Sequence, residues 1–428
     1  MSENLIIFNA KVVTPLGFSA RKGEEMAEMR IWKGKEMAEL RILEKATVEV
    51  VDGIITYVGP NRGEVRDGYY HHFWHYNARG KCLLPGFVDS HTHFVFGGER
   101  AEEFSWRLKG ESYMSIMQRG GGIASTVQAT RELSFIHLRS KAEGLLKKMT
   151  AMGITTVEGK SGYGLNRETE LLQLKVMRSL NKDEGVRVDI VPTFLGAHAL
   201  PDEYKERPDD YIDFLIRELL PVIQRDSLAE FCDVFCEEGV FSIEQSRRLL
   251  TAAGDYGLLP KLHADEIVPL GGAELAAELG AVSADHLLHA SDAGIEAMAR
   301  KGVVATLLPL TAFALKEPYA RGRDMIDAGC AVALATDLNP GSCFSGSIPL
   351  TFALACIHMQ LTVEEAITAL TLNGAAALNR ADSIGSIEVG KKGDFVVLDS
   401  DNYHILPYYV GMNCVNTTIK GGMLYPSV

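Results

Sequence analysis

The segment with the most potential chemistry in this sequence is Asp-Ser-His-Thr-His at residues 89–93, which directly follows the apolar run 83–88. Side chains alternate along a β-strand, so we expect the imidazoles of His91 and His93 to point the same way. Two imidazoles at one strand end supply half of a metal site that is built from nitrogen ligands. The pattern therefore predicts that His91 and His93 bind a metal ion.

Three further polar residues each stand at the end of an apolar segment later in the chain. His263 ends LLPKLH, His286 ends VSADH and Asp337 follows VALAT. Each residue alone could be a hydrogen-bonded core histidine or a helix-capping aspartate, but barrel enzymes place their catalytic groups at strand ends. A site built from three neutral imidazoles and one carboxylate suits Zn2+ or Fe2+ better than Mg2+ or Ca2+. We expect a divalent ion at this site.

Glu266 follows His263 by three residues, on the loop that leaves the same predicted strand. A divalent ion lowers the pKa of a bound water molecule, and a hydrolase then needs a group that takes and returns protons. Asp265 is nearer in sequence but is expected to point elsewhere. The structural alternative for Glu266 is an acid in the first turn of a helix, where the helix dipole stabilises it. We predict that Glu266 is the general acid and base.

Four segments that follow predicted strands contain glycine and would lie at the same rim. Glycine lets the backbone approach a ligand, but it also simply makes turns, so each segment alone has both interpretations. The segments are 97–100, 160–165, 195–198 and 339–342.

The elements that must position these residues alternate between strand-like apolar runs and longer helical patterns, which is typical of βα units and a parallel sheet. Eight such units over about 250 residues predict an α/β fold, a (β/α)8 TIM-like barrel. A doubly wound open sheet is the alternative, but no glycine-rich dinucleotide turn follows the first strand. The predicted strands are Leu83–His91, Thr155–Glu158, Asp189–Phe194, Phe231–Phe235, Leu259–His263, Ser283–His286, Val303–Leu307 and Val332–Thr336.

The chain ends have a different pattern, with short apolar runs separated by turn signals. We expect residues 1–81 and 382–428 to form one composite β-sandwich domain beside a barrel domain at 82–381. Thr362 and Glu365 have the spacing of a capping box and predict a late barrel helix. A tandem repeat, residues 25–35 and 36–46, is interpreted as a lengthened loop or hairpin of the β domain.

Composition restricts the class of protein. The chain has 428 residues, 46% of them hydrophobic and 23% charged, with a net charge of −13. These values are typical of a globular protein. The negative net charge argues against nucleic-acid or anionic-membrane partners. One local arginine could still bind a small anionic substrate. The odd number of scattered cysteines and the lack of a signal-peptide pattern predict a cytoplasmic protein.

Taken together, the motifs resemble the metal-dependent amidohydrolase superfamily and, within it, the imidazolonepropionase family. The segments that carry this resemblance are KSGYGL at 160–165, TFLGAHALPDEY at 193–204, LHADE at 262–266, SADH at 283–286, ATDLNPG at 335–341 and the tail GSIEVGKKGDFVVLD at 385–399. The resemblance covers nearly the whole chain. It implies the hydrolytic opening of 4-imidazolone-5-propionate to N-formimino-L-glutamate in histidine degradation.

The resemblance also implies one Zn or Fe ion and assigns roles by motif. Glu266 would activate the water, and His286 would support the developing oxyanion. The fourth predicted strand has no lysine where binuclear relatives carry a bridging carboxylated one, which favours a single ion. The implied metal ligands are His91, His93, His263 and Asp337, of which Asp337 also counts among the catalytic residues.

The same resemblance predicts how substrate is held. Arg100 would bind the propionate carboxylate, because a planar guanidinium matches two carboxylate oxygens. Position 342 is Ser where the family usually has Thr, and the hydroxyl is kept. A homodimer is expected. The other implied substrate contacts are Tyr113, Tyr163, His198, Asn339, Gly341 and Ser342.

Two other functions are weighed against this one. A nucleobase aminohydrolase, of the cytosine or guanine deaminase type, would share the single metal and the glutamate, but a neutral base needs no carboxylate clamp such as Arg100. A non-catalytic scaffold on the same fold would have lost metal ligands, and all four are present here.

Overall fold

The computed structural model describes residues 4–27, 29–32, 45–62, 71–111, 119 and 121–426. Seventeen strands are described, in two sheets. In chain order the strands are β1 (Leu5–Pro15), β2 (Met29–Trp32), β3 (Ala46–Val51), β4 (Ile54–Pro60), β5 (Trp74–Asn77), β6 (Cys82–Pro85), β7 (Phe87–Asp89), β8 (Ile154–Lys160), β9 (Asp189–Ala197), β10 (Phe231–Cys236), β11 (Leu259–Ala264), β12 (Ser283–His286), β13 (Val304–Leu307), β14 (Ala331–Leu334), β15 (Phe395–Leu398), β16 (Val415–Lys420) and β17 (Met423–Pro426).

Helices follow most of the strands between β7 and β15. Short 3-10 turns lie at Gly23–Ala27 and Asp202–Tyr204, and a π-helical turn lies at Leu215–Leu219. The α-helices are α1 (Ala101–Leu108), α2 (Ile123–Arg131), α3 (Phe135–Thr150), α4 (Arg167–Asn181), α5 (Pro208–Phe214), α6 (Leu220–Asp226), α7 (Ile243–Asp255), α8 (Gly272–Leu279), α9 (Asp292–Lys301), α10 (Pro309–Leu315), α11 (Gly322–Asp327), α12 (Ile348–His358), α13 (Val363–Leu370), α14 (Leu372–Ala376) and α15 (Ile405–Tyr408). None of the helices in the described part of the chain has the length and apolarity needed to cross a membrane.

Strands β7 to β14 form one parallel sheet in sequence order. A bridge between Thr92 and Leu338 joins the segments that follow the first and last of these strands and closes the sheet into a ring. Apolar side chains of the strands and the surrounding helices form one large buried cluster. The predicted (β/α)8 barrel is therefore confirmed, and the strand ends that carry the predicted ligands lie at one face.

The prediction of one continuous strand over Leu83–His91 is wrong. Residues 82–85 pair with β1 and β15 in the terminal sheet, and the barrel strand β7 contains only Phe87–Asp89. The chain passes between the sheets at Gly86, where a Cβ atom would lie 2.2 Å from Oγ1 of Thr155. His91 and His93 consequently lie after the strand. Their backbone is fixed instead by two hydrogen bonds, from Asp337 N to His91 O at 3.0 Å and from His93 N to Leu338 O at 2.9 Å.

The second sheet has nine strands and combines both ends of the described chain, β1 to β6 with β15 to β17. Its two halves share β1 and enclose one core, in which Leu5 and Val48 of one half belong to the same cluster as Leu83 and Phe395 of the other. Because β6 belongs to this sheet, the sheet extends past residue 81. The domain division at 81/82 and 381/382 itself stays a prediction.

Ion pairs join the terminal sheet to the barrel. Nζ of Lys420, on β16, lies 2.8 Å from Oδ2 of Asp189 at the start of β9 and 2.7 Å from Oδ2 of Asp394. The tandem repeat lies mostly outside the described residues, and its described strand β2 pairs with β1.

The predicted late helix and its capping box are confirmed in α13. Oγ1 of Thr362 accepts a hydrogen bond from Glu365 N at 3.2 Å, and the Glu365 carboxylate accepts one from Thr362 N at 2.7 Å.

The Thr362→Ala variant removes an N-cap acceptor and should lower the free energy of unfolding by about 1 kcal/mol. Chemical denaturation measures the loss. Thr362→Ser keeps the hydroxyl and is the matched control, and equal stability of the two variants would contradict the capping role.

Candidate active site

A cavity of about 540 Å³ opens at the carboxyl ends of the barrel strands. It brings together most of the residues that the sequence motifs single out, with His91 buried directly beneath it. The remaining predicted site residue, Tyr113, lies outside the described residues. The predicted residues that line the cavity are His93, Arg100, Tyr163, His198, His263, Glu266, His286, Asp337, Asn339, Gly341 and Ser342.

The centre of the cavity floor is a cluster of nitrogen and oxygen atoms that could hold a metal ion, called here the metal-ligand cluster. The Nε2 atoms of His91 and His93 lie 3.3 Å apart, and each lies 3.6 Å from Oδ1 of Asp337. Ligand atoms of His91, His93 and His263 all lie within 4.8 Å of one another. The described residues therefore bring the four predicted ligands together from three separate strand ends, β7, β11 and β14.

The protonation states suit a cation. Nδ1 of His91 lies 2.6 Å from Oδ2 of Asp285, so Nδ1 carries the proton and donates it, which leaves the lone pair of Nε2 facing His93. Burial lowers the pKa of both His91 and His93 well below the usual value. The lone pair of His91 Nε2 lies close to His93 Nε2 and to the Asp337 carboxylate, so the residues fit a divalent ion.

His263 and Asp337 complete this set. Nδ1 of His263 lies 2.9 Å from Oδ2 of Asp233. Burial opposes a positive charge on His263, but the Asp233 carboxylate outweighs it and raises the pKa of His263. Burial raises the pKa of Asp337 to about 6, while its Oδ2 accepts a hydrogen bond from Oγ1 of Thr311 at 2.6 Å and Oδ1 stays directed at the histidines.

Two of the site residues have left-handed backbone conformations, with φ of 51° at Asp337 and 76° at His286. Residues other than glycine adopt such angles at a cost, and they are concentrated at functional sites. His286 ends the barrel strand β12, Asp337 follows the barrel strand β14, and both residues line the cavity. Sequence patterns did not reveal this feature, because neither position is a glycine or asparagine.

The structure separates the roles of the adjacent acids Asp265 and Glu266. The Asp265 carboxylate accepts hydrogen bonds from the backbone N–H groups of Gly271, Gly272 and Ala273, at 2.9–3.0 Å, at the start of α8. The helix-acid role considered for Glu266 therefore belongs to Asp265. Oε2 of Glu266 instead lies 3.5 Å from Nε2 of His286. Burial, followed by the nearby Asp337, raises the pKa of Glu266 to about 8, which suits a proton carrier near neutral pH.

Glu237, which the sequence reading assigned no role, holds the loop that carries Glu266. Its buried carboxylate accepts hydrogen bonds from Ile267 N at 2.8 Å and Val268 N at 3.3 Å. A single buried acid at a strand end gives no sequence signal that would distinguish its role from the one predicted for Glu266.

Two arginines, Arg100 and Arg107, lie with the loop 339–342 at another side of the cavity, called here the cationic corner. Glu103 also lines the cavity there, with Oε2 4.0 Å from Nη1 of Arg100. Nη2 of Arg107 donates to the Gly341 carbonyl at 2.9 Å. A Cβ atom on Gly341 would lie 1.7 Å from Nη2 of Arg100, so only glycine allows the guanidinium this position. Oδ1 of Asn339 accepts the N–H groups of Gly341 and Ser342, both at 2.8 Å, and shapes the loop. Arg107 was not identified from the sequence.

Tyr163 and His198 form the wall between the cationic corner and the metal-ligand cluster. Nδ1 of His198 lies 3.0 Å from the carbonyl of Gly162 and donates to it, and the ring stacks on His93 with centroids 5.1 Å apart. The loop of Tyr163 is held by Glu170 of α4, whose carboxylate accepts the N–H groups of Gly162, Gly164 and Leu165. Glu170 is a further residue that the sequence reading did not assign.

Comparison with known proteins agrees with this geometry. The model of the "Amidohydrolase family" matches residues 263–424. Curated proteins named imidazolonepropionase match nearly the whole chain. One from Bacteroides fragilis is 97% identical and one from Bacteroides thetaiotaomicron is 80% identical, each over 100% of both chains. One from Clostridium tetani is 58% identical over 98% of this chain and 97% of the relative. The chain belongs to the imidazolonepropionase family of amidohydrolases.

Solved structures support the fold of this imidazolonepropionase family member. A 5-methylcytosine deaminase from Klebsiella pneumoniae, liganded with 5-fluorocytosine, superposes with a TM-score of 0.73 over 99% of this chain and 98% of its own, at 17% identity. A guanine deaminase from E. coli superposes with a TM-score of 0.71 over 99% of both chains, at 15% identity. At such identities the likeness shows the shared barrel and β domain alone.

The ligand cluster makes a direct prediction about metal content. Replacing Asp337 with Ala removes the only carboxylate of the predicted set and should lower the bound divalent metal from one ion per chain to well below half, measured by elemental analysis after gel filtration. His289→Ala changes a residue of the same cavity that lies outside the set and serves as the control. Full metal occupancy in Asp337→Ala would remove this residue from the ligands.

Proposed function

We propose that the chain hydrolyses the ring of 4-imidazolone-5-propionate to N-formimino-L-glutamate in histidine degradation, with one divalent ion, Zn2+ or Fe2+. The observation that carries this proposal is the placement of Arg100 in the same cavity as Glu266 and the histidine cluster. A substrate with a carboxylate at one end and a hydrolysable ring at the other matches that arrangement. The full-length similarity to named imidazolonepropionases supports it.

The residues proposed to hold the ion are His91, His93, His263 and Asp337. When bound, a divalent ion lowers the pKa of a water molecule and polarises a carbonyl group. Imidazole and carboxylate ligands suit both Zn2+ and Fe2+. Ligands from strands far apart in sequence, at the floor of an open cavity, are typical of a catalytic rather than a structural site.

The residues of the chain then perform binding and proton transfer. Arg100 binds the propionate carboxylate with its planar guanidinium, and Tyr163 and His198 orient the ring above the cluster. Glu266 takes a proton from the attacking water and returns it to the ring nitrogen as the carbon–nitrogen bond breaks. Burial lowers the pKa of His286 well below its usual value, so the neutral ring can donate a hydrogen bond to the oxygen that gains negative charge.

The remaining proposals concern partners and location. We propose a homodimer that acts on this small anionic substrate in the cytoplasm, without nucleic-acid or membrane partners. All seven cysteines are free thiols in the structure, which is consistent with a reducing compartment.

The direct test is turnover of freshly prepared 4-imidazolone-5-propionate by the metal-loaded protein, with the appearance of N-formimino-L-glutamate followed by mass spectrometry. We expect turnover that is lost on chelation and restored by the metal. Cytosine and guanine are the comparison substrates, because deaminases share the fold. Deamination of either base without ring opening of the imidazolone would favour the aminohydrolase alternative.

The role of Glu266 is tested by Glu266→Gln, which keeps the shape of the side chain but cannot carry the proton. We expect normal metal content and a fall in kcat of at least about 100-fold. Glu317→Gln alters another carboxylate of the same cavity and should keep near wild-type kcat. Near wild-type kcat in Glu266→Gln would show that another group moves the proton.

The role of Arg100 is tested by Arg100→Ala. We expect a rise in KM with a smaller change in kcat, and a loss of about 2–4 kcal/mol in transition-state stabilisation, because a buried carboxylate would lose its partner. Arg100→Lys keeps the charge without the planar fork and should recover only part of the loss. Steady-state kinetics provide both constants, and an unchanged KM would place the carboxylate elsewhere.

A further inference from the structure

A cluster of buried charges lies directly beneath the metal-ligand atoms, inside the barrel. It contains two lysines and three carboxylates, and every one of these side chains is 0% exposed. None of them has a role in the reaction proposed above. The five residues are Lys160 and Glu158 of β8, Asp233 of β10, Lys261 of β11 and Asp285 of β12.

Lys160 is the centre of this cluster. Its Nζ atom donates to Oδ2 of Asp233 at 2.7 Å and lies 3.1 Å from Oε2 of Glu158 and 3.4 Å from Oδ2 of Asp285. Lys261 is placed less centrally, with Nζ at 2.8 Å from Oε2 of Glu158 and 4.0 Å from Oδ2 of Asp285. Lys160 is therefore the cation that contacts both aspartates within 3.4 Å.

The two aspartates that Lys160 contacts are the partners of two predicted metal ligands. Oδ2 of Asp285 lies 2.6 Å from Nδ1 of His91, and Oδ2 of Asp233 lies 2.9 Å from Nδ1 of His263. In both cases the carboxylate oxygen that faces the histidine is the oxygen nearest to the lysine. One ammonium group thus links the imidazoles of His91 and His263 from below.

A buried carboxylate without a cation becomes protonated or moves toward water, because the charged form is costly in a low-dielectric interior. Lys160 supplies such a cation, because its Nζ atom lies within 3.4 Å of a carboxylate oxygen of Asp233, Glu158 and Asp285. The three carboxylates raise the pKa of Lys160 in return, although burial opposes this. The cluster is thus stable only as a set of charged groups.

We propose that Lys160 is a positioning residue of the metal site, which holds the Asp233 and Asp285 carboxylates against the Nδ1 atoms of His263 and His91 and thereby orients both rings toward the divalent ion. The proposal rests on the proposed metal-dependent function but not on the identity of the substrate. Loss of such an outer partner typically weakens metal binding 10- to 100-fold.

A bridging carboxylated lysine is the other role that a buried lysine beside a metal site could have. That role requires a negatively charged carbamate on Nζ. Here Nζ is surrounded by Asp233, Glu158 and Asp285, which favour an ammonium and would repel a carbamate. The contacts of Lys160 therefore assign it to the support of the histidines.

The test measures the zinc dissociation constant of the full-length protein directly, by competition with a chromophoric chelator after the metal has been removed. We expect Lys160→Met to bind zinc about 10- to 100-fold more weakly than wild type, and Lys160→Arg, which keeps the cation, to lie between the two. Weaker zinc binding should persist in Lys160→Met samples that circular dichroism shows to be folded.

Lys391→Met is the matched control for the loss of a buried lysine. Lys391 is also 0% exposed, but its ammonium donates to the carbonyls of Gly17, Ala381 and Ile384 beside the terminal sheet. We expect this variant to lose stability and to retain the wild-type zinc constant. Equal zinc constants in folded Lys160→Met and wild type would overturn the proposal.

A second variant covers the case in which Lys160→Met does not fold. Lys160→Gln keeps hydrogen-bonding capacity without charge and should show the same weakening of zinc binding, and a wild-type constant there would also overturn the proposal. The readout is zinc affinity, so the proposal about Lys160 is tested independently of the proposed ring-opening activity. Failure of the wild type to open imidazolonepropionate would leave these constants unchanged.

Discussion

The structure depends on holding three imidazoles and one carboxylate close together in a buried place. Such a group is unfavourable on its own, because the lone pairs and the negative charge repel one another. It becomes favourable when a divalent cation lies against it and when the far side of each imidazole is fixed. Asp285 lies behind His91 and Asp233 behind His263, with carboxylate oxygens 2.6 Å and 2.9 Å from the Nδ1 atoms of the two rings.

The barrel makes this arrangement possible, because parallel strands direct residues that are far apart in sequence to one rim. The same strands bring buried lysines and carboxylates together one layer below. The loops beyond the rim then divide the cavity into a cationic corner, formed by Arg100 with Gly341, and an acidic side that contains Glu266. A substrate with an anionic tail and a hydrolysable ring matches this division.

The sequence alone predicted the barrel, the eight strand regions and the positions that converge at the cavity, because hydrophobic runs followed by histidine or aspartate are a strong pattern. It did not predict the break at Gly86, which depends on the close approach of Thr155 from the neighbouring strand. It also gave Lys160, Asp233 and Glu237 no role. Those side chains acquire their roles only through partners on other strands, and pairings of that kind leave no local spacing to detect.

The binding of one divalent ion by the four predicted ligands can be tested by anomalous diffraction. X-ray data are collected from crystals of the metal-loaded protein on both sides of the zinc and iron absorption edges. We expect one anomalous peak per chain, surrounded by His91, His93, His263 and Asp337, and the edge at which it appears identifies the metal. A second peak beside Lys160, or a single peak outside those four side chains, would contradict the binding of one ion by these ligands.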